Sequence, residues 1–425
     1  MKFVLIGAGQ RGMIYARYAN KAGHQIVAAA DIDAKKLQLA QSEFNIADDF
    51  VFTDAAKLLE RDCMADAAII ATMDRDHAWQ AILALERGYH LLLEKPISSE
   101  PSELLKIESL ANERGRHVVV CHVLRYSPFF LEVKKHIDNG AIGRIISIQH
   151  NENIGNYHMA HSFVRGNWRR KELASSIIMQ KSCHDMDLLS WLVGSPCKKV
   201  ASFGELTYFK AENAPADAST RCVDCPHADT CRFSAYKCYL PVMGSWPAAV
   251  LTENQTEEGL REAIGSGAYG RCVYHCDNDV CDHQVTILEF ENGVTSTFNM
   301  SAFTNKIART IKIMGEDGEI RASEVENIIE ITSFASNSAA STQSCVIRPE
   351  TVQSGHGGGD SRMLDDFLAL IEDKTEGKGE KEAATSISQS TESHLMALCA
   401  EESRLTGNVM NVREYKARHS EEITR

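Results

Sequence analysis

Lys95 follows the short apolar run His90 to Leu93 through Glu94, and Pro96 comes directly after it, restricting the backbone around it. An ammonium held in this way can polarise a hydroxyl oxygen as charge develops on it. His184 lies in Gln180-Lys181-Ser182-Cys183-His184-Asp185, ahead of an apolar helical run that ends at Gly194. Ser182 with Asp185 three residues on is a capping-box pattern, which places His184 in the first turn of a helix. There the positive end of the helix dipole disfavours imidazolium, leaving a neutral ring able to accept a hydroxyl proton. Lys181 is a second cation that could stabilise a developing alkoxide, although it could equally face solvent. By pattern alone Lys95 reads as well as a surface lysine at a strand end, and the Ser182 segment as a plain helix start.

The elements that must position these groups begin at the first residues. Lys2 to Ile6 is a strand-like run that leads into Gly7-Ala8-Gly9-Gln10-Arg11-Gly12 and then a helical pattern. In a G-x-G-x-x-G turn between strand and helix, Gly7 makes the tight turn, Gly9 lets the backbone approach a pyrophosphate, and Gly12 allows close helix-to-strand packing. A second apolar run, Gln25 to Ala30, ends on Asp31, nineteen residues beyond Gly12, where a carboxylate bonds adenosine ribose hydroxyls. A carboxylate there repels a 2′-phosphate, so NAD is expected over NADP, with Lys35 and Lys36 near enough to weaken that preference.

Helix-like stretches Ala34 to Phe44, Ala55 to Arg61, Asp76 to Arg87 and Glu100 to Arg114 alternate with strand-like runs Ala67 to Ala71, His90 to Leu93 and His117 to Cys121. This alternation predicts a parallel sheet with helices on both faces, a Rossmann domain over residues 1–122. In such a sheet the carboxyl ends of the strands face the ligand crevice, which directs Lys95 to the nicotinamide end. From residue 123 to 425 the pattern changes. Ile145 to Ile148, Val285 to Phe290, Val294 to Ala302 and Thr310 to Met314 alternate with period two, with Val294, Ser296, Phe298, Met300 and Ala302 on one face. An α+β domain with an open, mainly antiparallel sheet is expected, closed by a helix from about Ser386 to Arg404.

The 425 residues, 44% hydrophobic and 24% charged, suffice for two cores, and a net charge of −13 works against binding a phosphate backbone. No nucleic-acid partner is expected. The apolar run after Met1 breaks at Gly7 and no stretch has the length of a membrane span, so a cytoplasmic protein without a membrane partner is expected.

Together, Gly7 to Gly12, then Ala71-Thr72-Met73-Asp74-Arg75-Asp76-His77, then Glu94-Lys95-Pro96, then Arg125-Tyr126 resemble the Gfo/Idh/MocA family of nicotinamide-dependent sugar and cyclitol oxidoreductases. The resemblance spans nearly the whole chain. It implies cofactor contacts from Gly7, Gly9, Gln10, Arg11, Gly12, Asp31, Thr72, His77, Glu94 and Lys95, and a catalytic role for Lys95 and His184. It also implies that Arg125, Tyr126, Gln180, His356 and Asp360 line the substrate pocket, the last two from the resemblance of Gly355 to Asp360 to the family's H-G-G-x-D segment. Trp168, in an aromatic and cationic stretch, suits stacking on a polyol or packing in the core. The chain departs from the family in two places. Met73 replaces the usual proline, and in the D-x-G-x-H element Gln180 replaces the aspartate and Ser182 the glycine, so the Asp/His pairing is lost. Three readings follow: an NAD-dependent dehydrogenase of a sugar, glycoside or cyclitol; a glycoside-cleaving enzyme using transient oxidation and elimination; or a dinucleotide-binding regulator. The family's exposed sheet face implies a homodimer or homotetramer.

One feature stands outside this scheme. Cys222-x2-Cys225-x5-Cys231-x6-Cys238, followed by Cys272, Cys276 and Cys281, lies in an excursion over about residues 211–282. In a reducing compartment such spacing points to a structural metal rather than disulfides, and zinc on Cys222, Cys225 and Cys231 is expected, with Cys272 or Cys238 fourth. The resemblance favours Cys272. An iron–sulfur cluster and free thiols are the alternatives.

Overall fold

A computed structural model describes residues 1–337, 343–352, 355–372 and 383–423. Six strands form the first sheet: β1 Lys2–Ile6, β2 Gln25–Ala30, β3 Val51–Phe52, β4 Ala67–Ile70, β5 His90–Leu93 and β6 Val118–Val120. All are parallel, in the order β3-β2-β1-β4-β5-β6. Their residues are nearly all buried because helices cover both faces, which is why these runs read as continuously apolar. The helix ends follow local signals: Gly88 and Gly115 adopt positive φ just beyond helices His77–Arg87 and Pro101–Arg114, and Asp33 caps helix Ala34–Phe44.

The second sheet holds nine strands: β7 Ile145–Asn153, β8 Cys197–Glu205, β9 His283–Phe290, β10 Thr295–Ser301, β11 Ala308–Gly315, β12 Gly318–Ser323, β13 Ile328–Ser333, β14 Ser344–Ile347 and β15 Met410–Asn411. Their order is β14-β13-β12-β11-β7-β10-β9-β8-β15, antiparallel except where β10 runs parallel to β7. Ser296, Phe298 and Met300 are buried while Thr295, Thr297 and Asn299 face out, as the period-two pattern requires. The other face of the sheet leaves Phe203, Val285, Ile287 and Ile146 exposed.

The chain beyond residue 122 does not stay in the second domain. Helix Gly359–Glu372 returns to the first, where Phe367 packs 6.5 Å from Phe3 between ring centres. Helix Ile387–Thr406 lies against helix Pro101–Arg114, helix Cys183–Val193 and β8, joining the two sheets.

The excursion departs from expectation. Cys222, Ala235, Tyr239, Ala248, Leu260 and Ile264 form a small buried cluster, so this segment has an apolar core of its own. Arg221 adds hydrogen bonds to the carbonyls of Ile264, Gly265 and Gly267. The expected zinc centre is not supported: among the described residues no group of three or more His, Cys, Asp or Glu is placed to hold a metal ion. Cys222, Cys225, Cys231 and Cys272 do border one cavity of about 20 Å³, but they share it with Arg165. The Arg165 guanidinium, 1% exposed, stands 3.7 Å from the Cys222 sulfur. Two of the sulfurs accept backbone hydrogen bonds, Cys222 from the Ala235 N–H and Cys231 from the Phe233 N–H. Cys238 is not among the residues that border the cavity.

Candidate active site

The strand order reverses at β1 and β4, and there the glycine turn sits. Gly7 has φ +92°, and a Cβ on it would lie 2.5 Å from the Ala71 carbonyl oxygen. A Cβ on Gly12 would lie 1.9 Å from the Gly7 oxygen, so both positions exclude a side chain. Gly9 meets nothing within 4 Å, which leaves the loop backbone open to a phosphate group at the start of helix Gln10–Lys21. Asp31 is anchored by the N–H groups of Ala8 (2.7 Å) and Asp33 (2.8 Å). Lys36 lies 3.5 Å from Asp33 and Lys35 3.6 Å from Glu253, both pairs on the exposed surface. Gln10 is exposed on the same rim.

A cleft of about 510 Å³ opens between the two domains beside this turn. Arg11, Thr72, His77, Glu94 and Lys95 line it from the first domain, and Trp168, Gln180, Lys181 and His184 from the second. Lys95 and His184 thus border the same cleft. The Lys95 ammonium donates to the backbone carbonyl of Gln180 at 2.8 Å, so residue 180 holds the lysine through its main chain whatever its side chain is. The Lys95–Pro96 bond is cis. Two histidines clamp the segment after it: Nδ1 of His77 donates to the Pro96 carbonyl (2.7 Å), and Nε2 of His394 accepts the Ile97 N–H (3.0 Å). Thr72 donates to Gln80 at 2.7 Å.

Helix Cys183–Val193 puts His184 in its first turn, but not through a capping box. Ser182 makes no side-chain cap, and Asp185 turns away from the helix end to accept from His150 (2.7 Å) and Arg309 (2.8 Å). Burial pushes the Asp185 carboxyl up, yet the Arg309 and His150 interactions outweigh it and bring it down to about 2. The ring of His184 meets His122 edge-on at 5.5 Å.

Several expected pocket residues stand elsewhere. Arg125, 2% exposed, makes a two-pronged ion pair with Asp187 (2.7 and 2.6 Å) and also bonds the Ala384 carbonyl and Gln389. It is spent inside the protein. Tyr126 donates to Asp366 at 2.9 Å and does not border the cleft. Asp360 is also absent from the cleft wall. Its carboxylate takes the Arg11 guanidinium (2.6 Å), while Arg11 Nε donates to Glu94 at 2.8 Å. This clasp ties the glycine turn, the strand end and helix Gly359–Glu372 together. Although burial opposes ionisation, Arg11 keeps the Glu94 carboxyl below its ordinary range. The side chain of His356 lies outside the described residues.

The sequence reading missed part of the wall. Asp74, His158, Arg309 and Glu324 also line the cleft, and Glu152, 1% exposed, stands behind it. A signal was present. Ile148, His150 and Glu152 alternate onto the buried face of β7, and polar groups at such positions mark a site rather than a core.

The fold and cleft define a dinucleotide-binding enzyme architecture, a Rossmann domain joined to a mixed α/β domain. The chain belongs to the oxidoreductase family GFO_IDH_MocA: the model of the NAD-binding Rossmann fold matches residues 1–122 and that of the C-terminal alpha/beta domain residues 134–409. It is 25% identical over 359 residues to the putative oxidoreductase YteT of Bacillus subtilis, covering 81% of this chain and 82% of that protein. An inositol 2-dehydrogenase of Gluconacetobacter diazotrophicus is 29% identical over 196 residues, 44% of this chain and 53% of that enzyme. The chain therefore matches about half the length of this relative. An oxidoreductase of Agrobacterium radiobacter solved with NAD+, L-tartaric acid and magnesium has the same fold, with TM-score 0.69 at 17% identity over 98% of this chain and 99% of that one. The WlbA dehydrogenase of Bordetella pertussis, solved with NADH and UDP-GlcNAcA, has TM-score 0.64 at 18% identity over 97% and 98%. Among the described residues no helix is long and apolar enough to cross a membrane.

Proposed function

We propose that this oxidoreductase uses NAD to oxidise a secondary hydroxyl of a sugar, glycoside or cyclitol. The observation that carries the reading is that Lys95, at the carboxyl end of β5, and His184, in the first turn of its helix, line one cleft beside the open backbone of Gly9. Bound NAD would supply the hydride acceptor. The chain supplies the rest: Lys95, steadied by the Gln180 carbonyl, polarises the hydroxyl oxygen, and His184 takes its proton. Lys181 is a secondary source of positive charge. Trp168 offers a ring face to the polyol, and Gln180 an amide in place of the family's aspartate. The Asp31 carboxylate, fixed by the Ala8 and Asp33 N–H groups just beyond β2, supports NAD over NADP. Inositol dehydrogenases among the relatives support the cyclitol class.

The test is to mix purified protein with NAD and a panel of inositols, hexoses and glycosides and follow reduced cofactor by absorbance. Turnover with at least one member, abolished in Lys95→Ala, is expected. Bond cleavage without net reduction would point to the eliminating glycosidase instead, and binding of NAD without any reaction to a regulator. For assembly we propose a homodimer or homotetramer through the outer sheet face, where Phe203 lies opposite Val285 with Ile287 beside them. Light scattering showing a monomer would dispose of that part.

A further inference from the structure

Among the described residues four cations line the cleft: Arg11, Lys95, Lys181 and Arg309. Three of them have carboxylate partners. Arg11 is held by Glu94 and Asp360. Arg309 meets Asp185 at 2.8 Å and Glu152 at 2.6 Å, with Glu324 at 3.8 Å, and Lys181 meets the second Glu152 oxygen at 3.2 Å. Lys95 rests on a neutral carbonyl. Glu152 is the shared member. It sits on β7 directly opposite Arg309 on β11, fully enclosed, with one oxygen toward each cation. Glu152 is thereby the carboxylate paired with Lys181 and one of three around Arg309, the others being Asp185 and Glu324.

We propose that Glu152 sets the substrate class: by pairing with Lys181, beside an Arg309 that Asp185 and Glu324 also hold, it fits the cleft to an uncharged polyol and rejects sugars that carry a carboxylate. This rests on the polyol-oxidation reading above. A carboxylated ligand entering beside Lys181 would have to displace Glu152, which is buried and cannot leave, or lie against it as a like charge. A neutral polyol can instead donate hydroxyl protons into the same ion pairs without disturbing the balance.

The experiment compares glucose with glucuronate and galactose with galacturonate on the NAD-loaded protein, reading kcat/KM by cofactor absorbance and, independently of turnover, Kd by ligand-observed NMR. The wild type should favour the neutral member of a pair by at least about tenfold. Glu152→Gln keeps the shape and frees a positive charge, and should move that ratio at least about tenfold toward the uronate. Lys181→Met removes a cation and should move it the opposite way, which tests the idea even if Glu152→Gln does not fold. Wild-type preference for a uronate, or a ratio unmoved in every folded variant, overturns the proposal. Selective binding of neutral sugars without turnover would leave the charge assignment standing and sink the oxidation reading instead. No binding or turnover of any pair member would overturn both.

Discussion

Replacing Arg125 by methionine separates two accounts of this residue, substrate contact and internal ion pair. The structure buries Arg125 and Asp187 together, each side chain 1% exposed, with two short contacts between them. Removing one member of such a pair strands the other, at a cost of about 3–5 kcal/mol. For a chain of this length that corresponds to a fall in Tm of about 3–6 °C. The loss should depend on pH in a defined direction. Burial already pushes the Asp187 carboxyl above its ordinary value, against the pull of Arg125, and without the arginine it rises further. A group whose folded pKa is raised is neutral in both states at low pH and penalises folding once the unfolded state ionises, so the deficit of Arg125→Met should grow from pH 4 to pH 8. The double variant Arg125→Met/Asp187→Asn leaves no stranded charge and should recover at least about 1.5 kcal/mol, with a flat pH profile. Urea unfolding followed by circular dichroism, together with KM for whichever polyol is oxidised, measures both readouts. A raised KM with unchanged stability would refute the argument and restore Arg125 to the substrate pocket.

Gly12→Ala should weaken NAD binding and lower Tm together, since the new Cβ would stand 1.9 Å from the Gly7 carbonyl; titration of the nicotinamide signal and a thermal scan test this. Gln180→Ala should leave turnover within about threefold of wild type, because Lys95 is held by the main-chain carbonyl of residue 180; a loss as large as that of Lys95→Ala would contradict it. The Asp185 carboxyl, brought down to about 2, contributes stability that is present above about pH 4 and lost as pH falls through 2, so Asp185→Asn should be destabilised at neutral pH and show a flatter acid limb in urea titrations. Leu260→Ala should cost about 2–5 kcal/mol locally and open residues of the excursion to limited proteolysis, if the small core around Tyr239 and Ile264 holds that segment together.

Local signals carried most of the fold. Strand and helix runs in the first domain are set by side chains within a few residues of one another, so His90–Leu93 and Ala34–Phe44 could be read with the bounds they have. The glycine turn, Asp31 and the approach of Lys95 to the cleft follow from the geometry of a parallel sheet once its strands are recognised. Pairings over long separations were not legible. Arg125 and Arg11 are cations beside recognisable motifs, and only folding decides that Asp187 and Asp360 reach them before a substrate does. The same holds for Ser182 and Asp185, a capping box in sequence whose carboxylate is drawn instead to Arg309 on a strand more than a hundred residues away. Cysteine spacing likewise reads as a metal site, while only the fold decides whether the side chains converge, and among the described residues no group of three or more is placed to hold an ion. What the sequence determined by itself is the backbone framework, because steric and hydrophobic preferences act locally. The tertiary structure alone decided which charge neutralises which, since an ion pair depends on distance in space and on exclusion of water.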